Sequence, residues 1–299
     1  MATITNETSK LKHLLDNEVI KALSLPQDSW LRRFIDPLYT KATQRLAEMG
    51  AHFNRYAACH GLPAAANRFL PQFICDYQAS GTENIPREGP LVVAANHPGT
   101  YDSLIITASL QRPDIKIISS VIPFLQHLPT INRHLIFAPP RGQVQARMNT
   151  VRQAIQHLWE GGALLIFPSG QMDPDPAFMP GAKEELNSWS RSLDYFLQRI
   201  PQARIILSIV SGVLSPSCVH HPITRLRRRR VDRQRIGEML QVIRQLIFDK
   251  FYPLNPFVSF SEPLAFKHPV DIHEKILSLA EELLSNHLSR QTTKLQISR

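Results

Sequence analysis

Residues 91–102 read Leu91-Val92-Val93-Ala94-Ala95-Asn96-His97-Pro98-Gly99-Thr100-Tyr101-Asp102, and the reading of this stretch decides the fold. Five apolar residues in a row, with Gly89-Pro90 before them and a polar turn after, describe a strand buried on both faces. Pro98 disfavours the α region for His97, so His97 is extended and sits just past the strand's carboxyl end. Asp102 opens an apolar-periodic segment, 103–110, that reads as a helix. In open α/β sheets ligands bind beyond the carboxyl ends of the strands, and Asn96 and His97 fall there. Singly, Asn96 is a turn residue, His97 a surface histidine and Asp102 a helix N-cap. Together they allow more. A neutral histidine accepts a proton from a hydroxyl, and a carboxylate on its other nitrogen fixes the tautomer and stabilises the imidazolium that forms.

The surrounding texture agrees with a layered α/β fold. Short apolar runs recur at Ile115–Ser119, Leu135–Ala138, Ala163–Phe167, Ile205–Val210 and Phe257–Phe260. Between them lie helical segments at 102–110, 145–160, 184–199, 233–250 and 270–287. This alternation predicts a mixed, largely parallel sheet flanked by helices. Gly161-Gly162 after Trp159 reads as a helix C-cap ahead of a strand. Residues 11–80 lack obvious strands. Their apolar residues recur at threes and fours, and Pro26, Pro37, Pro63 and Pro71 divide them into pieces. The expected organisation is an N-terminal helical domain, 1–80, followed by an α/β domain, 81–299.

Bulk properties narrow the function classes. The 299 residues are 43% hydrophobic and 20% charged, enough for a packed core and against wholesale disorder. Net charge is +9, with the surplus mostly arginine, which points to an anionic partner. Cys59, Cys75 and Cys218 form no CxxC pair, and an odd count argues against a disulfide framework and for a reducing cytosol. The N-terminus has no basic segment followed by an apolar one, so no secretory signal is read there. No run approaches about 18 apolar residues, so any membrane role is expected at the surface. Cys218-Val219-His220-His221 has no second ligand cluster at suitable spacing, and no metal is expected.

Asn96-His97-Pro98-Gly99-Thr100-Tyr101-Asp102 resembles the first block, NHxxxxD, of the glycerolipid acyltransferase family. That resemblance implies that His97 is the general base activating an acceptor hydroxyl for attack on an acyl thioester, with Asp102 orienting it. Ile136-Phe137-Ala138-Pro139-Pro140-Arg141-Gly142 resembles the second block, which implies that Arg141 binds the acceptor phosphate. Phe167-Pro168-Ser169-Gly170-Gln171 resembles the third block, and Ile205–Val213 sits where the fourth belongs. Within the family, Pro168-Ser169-Gly170 and the helical N-terminus look closest to the soluble, plastid-type glycerol-3-phosphate acyltransferases. The third block departs from the pattern. Ser169 stands where most members have Glu, and Gln171-Met172-Asp173 replaces a neighbourhood that carries arginines in the soluble type. Ser169 and Gly170 are expected at the substrate, Gly170 because a glycine after a strand lets backbone amides approach an oxyanion or phosphate. The acceptor stays open between glycerol-3-phosphate, a lysophosphatidate and another hydroxyl. The resemblance implies a coenzyme A or acyl-carrier-protein thioester as co-substrate and no further cofactor.

Arg225, Arg227, Arg228, Arg229, Arg230, Arg233 and Arg235 place seven positive charges within residues 225–235, opposed only by Asp232. A solvated loop entering helix 233–250 accounts for some of them. An acidic carrier protein, coenzyme A or an anionic membrane surface would relieve their mutual repulsion, and Arg227, Arg228, Arg229 and Arg230 are the expected contacts. No aromatic interleaving or nucleic-acid motif accompanies the run, so nucleic acid is not expected. A cytoplasmic protein with peripheral contact at the inner face of the membrane fits these features. The competing reading is a non-catalytic basic protein that binds anionic lipid or nucleic acid on the same scaffold.

Overall fold

The computed structural model describes residues 2–23, 32–140, 143–248, 252–265 and 272–297. The helices among them are α1 (Ala2–Leu23), α2 (Arg32–His60), α3 (Leu62–Phe69), α4 (Thr100–Leu110), α5 (Pro123–Gln126), α6 (Pro129–Arg133), α7 (Val144–Trp159), α8 (Ala182–Leu186), α9 (Ser192–Arg199), α10 (Pro216–Val219), α11 (Arg230–Phe248) and α12 (Ile272–Ile297). The strands are β1 (Gln78–Ser80), β2 (Leu91–Ala95), β3 (Ile115–Ser120), β4 (Leu135–Ala138), β5 (Ala163–Ile166), β6 (Arg204–Ser211) and β7 (Phe257–Phe260). They form one sheet in the order β1-β7-β6-β2-β5-β3-β4. From β6 to β4 every pairing is parallel. β7 runs antiparallel to β6, and β1 lies parallel to β7 at the edge. The sheet is therefore mixed and mostly parallel, flanked by helices, with helices at the N-terminus.

All five residues of β2 are fully buried because the strand is central and covered on both faces. Its side chains alternate. Leu91, Val93 and Ala95 join a core shared with α1–α4, in which Ala42, Ala47, Ala51, Ala57, Ala65 and Ala66 let the N-terminal helices approach closely. Val92 and Ala94 join the opposite core under α7, α9 and α12. Each face of the sheet is thus closed by helices, which is why the strand carries no polar residue until Asn96.

The amino end of the sheet is fixed by one buried cation. The Arg112 side chain forks onto Asp114 at 2.7 and 2.6 Å and donates to the carbonyls of Pro86, Gly89 and Gly161 at 3.0–3.1 Å. It ties the turns that lead into β2 and β5, at the opposite end from His97. Gly161, with φ +85°, ends α7 in the left-handed region, as its C-cap reading requires. Gly162 is needed for a different reason: a Cβ there would lie 2.2 Å from the His157 ring.

Several expected boundaries shift. The segment 184–199 is two helices, because Asn187-Ser188-Trp189-Ser190 leaves the helical path so that Trp189 can be buried and the Ser190 amide can donate to the Pro168 carbonyl at 3.0 Å. β1 is a strand within the stretch expected to be wholly helical; three residues, two of them exposed, carry no periodic signal. α2 runs through Pro37, in its second turn, where the proline removes one intrahelical bond. Pro63 and Pro71 do begin new elements, α3 and the short 3-10 turn Leu70–Gln72. Pro26 lies outside the described residues. The three cysteines are free.

Candidate active site

The polar turn after β2 is built by three anchoring contacts. Asn96 extends the β2–β6 pairing with its side chain, donating to the Val210 carbonyl at 2.9 Å and accepting from the Val210 amide at 2.7 Å. His97 is held through its backbone by Asp173: the His97 amide donates to Asp173 Oδ2 at 2.8 Å and the Asp173 amide donates back to the His97 carbonyl at 2.8 Å. Gln234 on α11, fully buried, donates to the carbonyls of Pro98 at 2.8 Å and Asp173 at 2.6 Å. Two loops from the carboxyl ends of β2 and β5 are thereby locked to one helix.

Asp102 lies in the first turn of α4 and is completely buried. Its carboxylate accepts from the Gly99 amide at 3.0 Å and meets His97 Nδ1 at 2.9 Å. Gly99, not Asp102, is the N-cap of α4; Asp102, at the third helical position, reaches back to the Gly99 amide, so one carboxylate serves both the helix end and His97, and the positive end of α4 favours its charge. A second carboxylate serves that helix end. Glu238 of α11 accepts from the Thr100 amide. Gly99 is extended, at φ −176°, so its role is spatial: a Cβ would lie 2.9 Å from Glu238 Oε1.

The His97 ring stacks on Phe167 at 4.4 Å between centroids and keeps 30% of its side-chain surface exposed. With Nδ1 committed to Asp102, Nε2 is the ring nitrogen left for a ligand. Burial pushes the His97 pKa down, but the charge and hydrogen bond of Asp102, with smaller contributions from Glu238 and Asp173, outweigh it and raise the pKa to about 9. Burial raises Asp173 to about 6, against the Ser169 hydroxyl and the His97 amide, and its Oδ1 is buried with no hydrogen-bond partner. Burial also raises Asp175, which accepts from the amides of Ala177, Gly212, Val213 and Leu214 at 2.8–3.1 Å. Asp175 thus shapes the loop after β6, whose turn depends on Gly212 at φ +72°.

The other expected site residues fall as follows. Arg141 lies outside the described residues. Ser169 is buried, and its hydroxyl donates to the Gln171 carbonyl at 3.0 Å within its own turn. Gly170 adopts φ +65° beside open space, and its amide donates to the Phe167 carbonyl at 3.0 Å. Both residues shape the loop that carries Asp173. Arg230 turns inward, donating to the Met172 carbonyl at 3.0 Å, to Gln234 at 2.8 Å and to Glu185 at 2.8 Å. Arg227 is half-buried, whereas Arg228 and Arg229 are exposed. Residues not foreseen from sequence are Asp173, Phe167, Gln234 and Glu238. Asp173 stood in a quoted motif as the absence of an arginine. Gln234 and Glu238 lie on a helix more than 130 residues after His97, so no local pattern could have joined them to it.

A histidine with one nitrogen on a buried carboxylate and part of its ring exposed has the arrangement that, in its neutral form, can accept a proton from a hydroxyl. The acyltransferase family model matches residues 76–192, a span that includes His97, Asp102, Phe167 and Asp173 but not α11. No curated protein matches the chain. Among solved structures, the crystal structure of the 1-acyl-sn-glycerophosphate (LPA) acyltransferase PlsC from Thermotoga maritima is similar at 16% identity, covering 85% of this chain and 93% of that one, with a TM-score of 0.43.

Proposed function

We propose that this protein is an O-acyltransferase that moves a fatty acyl group from a coenzyme A or acyl-carrier-protein thioester to a hydroxyl of glycerol-3-phosphate or a related (lyso)phospholipid precursor. The observation that carries the reading is the His97–Asp102 pair at the carboxyl end of the central strand, within the matched segment. His97 Nε2 takes the hydroxyl proton as the oxygen attacks the thioester carbonyl. The tetrahedral intermediate collapses with cleavage of the C–S bond, and the imidazolium returns the proton to the departing sulfur. Asp102 holds the tautomer and stabilises the imidazolium. In the substrate-free protein His97 carries a proton at neutral pH, given its raised pKa. Bound substrate removes solvent from the exposed ring face and adds to the downward push of burial, favouring the neutral base.

Pro168-Ser169-Gly170 is the feature that leans towards the soluble glycerol-3-phosphate type. Arg141 is assigned to an anionic acceptor, and the exposed arginines before α11 to the donor or to a membrane surface. No helix among the described residues is long and apolar enough to cross a membrane. The test is transfer of radiolabelled acyl groups from both thioesters to glycerol-3-phosphate, lysophosphatidate and a total lipid extract. His97→Ala is expected to lower transfer by about 10²–10⁴-fold while the protein stays folded. Undiminished transfer by that variant overturns the mechanism.

A further inference from the structure

The segment just before α11 combines two features that seldom share a surface. Leu226 is 77% exposed and Ile223 39% exposed, although both are large aliphatic side chains in one 3-10 turn, Pro222–Leu226. Around them Arg225, Arg228 and Arg229 are exposed, and among the described residues no carboxylate pairs with any of the three. The turn is not loose. Thr224 is buried, and its hydroxyl donates to the carbonyls of Val219 at 3.0 Å and His221 at 2.8 Å. The aliphatic tips are therefore held out by a built turn. The ridge also adjoins the candidate active site. Arg230, the next residue after it, is bonded to the Met172 carbonyl, and Gln234, one helical turn later, is bonded to Pro98 and Asp173.

Resting on the acyltransferase reading, we propose that Pro222–Arg229 is a docking ridge for an anionic lipid surface. Ile223 and Leu226 enter the boundary between headgroups and acyl chains, and Arg225, Arg228 and Arg229 pair with lipid phosphates. Charge complementarity selects the anionic surface, and the exposed aliphatic pair selects a bilayer over a wholly polar polyanion. Docked this way, the protein brings the rim of the His97 site to the plane where a lipid acceptor resides.

The test is flotation of the full-length protein with phosphatidylcholine vesicles, with and without phosphatidylglycerol. Wild type is expected to float only with the anionic vesicles and to be released by salt. Each arginine near such a surface strengthens binding about five-fold, so R225Q/R228Q/R229Q is expected to bind roughly a hundred-fold more weakly. I223S/L226S is expected to bind roughly ten-fold more weakly. Thermal melts of both variants should match wild type, because the five side chains are exposed. Failure of wild type to bind anionic vesicles, or binding that survives both variants, overturns the proposal. So does a wild type that ignores vesicles but captures an acidic carrier protein or nucleic acid through the same arginines. His97→Ala is the control that separates the two readings: it is expected to float like wild type while losing transfer. If it keeps transfer and floats, the catalytic reading fails and the ridge stands.

Discussion

Replacing Asp102 by Asn removes one negative charge and keeps the shape, so it isolates the electrostatic link between the carboxylate and His97. In the native protein His97 is raised from 6.5 to about 9, with the Asp102 charge and hydrogen bond as the main upward causes. At 1.36 kcal/mol per pKa unit that displacement corresponds to a ceiling of about 3 kcal/mol. The 30% exposure of the ring discounts it to about 1–2 kcal/mol. The sign follows from the direction of the shift. A histidine whose folded pKa is raised contributes stability that is fully present below pH 6.5 and is lost as pH rises through about 9. Asp102→Asn should therefore destabilise the protein by about 1–2 kcal/mol at pH 6 and much less at pH 10, in urea melts with unchanged m-values. Proton NMR titration of the His97 ring should show its pKa falling from about 9 towards the ordinary value. The kcat/KM profile of wild type should rise with pH towards a plateau above about 9, since that ratio reports the free enzyme's base. The variant's plateau should begin at lower pH and lie lower. A His97 pKa at or below 6.5 in wild type, or equal destabilisation at pH 6 and pH 10, would refute the reasoning.

Two further outcomes probe separate parts of the structure. Arg112→Ala leaves three carbonyls around the amino end of the sheet without their donor and should cost about 3 kcal/mol or more in chemical denaturation; Arg112→Lys, which lacks the planar fork, should recover only part of it. Asp173→Asn keeps an acceptor for the His97 amide but removes a carboxyl whose ionisation is opposed by burial up to about pH 6. Its stability should match wild type near pH 4 and exceed it by about 1–2 kcal/mol at pH 8; no gain at pH 8 would contradict the raised pKa.

What the sequence showed and what it hid divide along physical lines. The strand runs were readable because strands packed between two helical layers are mostly apolar, and β2, β4 and β7 have the expected limits. The His97–Asp102 pair was readable because both partners lie within one turn. Asp102 carried two competing explanations, N-cap and partner of His97; the structure gives the N-cap position to Gly99 and places Asp102 at the third helical position, where one carboxylate meets both the Gly99 amide and His97 Nδ1. The break in 184–199 was hidden because it depends on burying Trp189. The inward turn of Arg230 was hidden because in a run of like residues only tertiary partners decide which one leaves solvent. Glu238 and Gln234 were hidden for the same reason: a helix face shows that it packs, and not on what.

The dependence of the site on α11 bears on how this protein can be dissected or recombined. The matched segment ends at residue 192, yet β6, which pairs with β2 in the centre of the sheet, lies beyond it, as does the helix that clamps the Pro98 and Asp173 carbonyls. A chain cut at that boundary would turn β2, with its uninterrupted apolar run, into an open edge. It would also release the histidine loop from its clamp. A graft that transplants the site must therefore carry the sheet from β1 to β7, because here the unit that folds is larger than the unit that bears the motif.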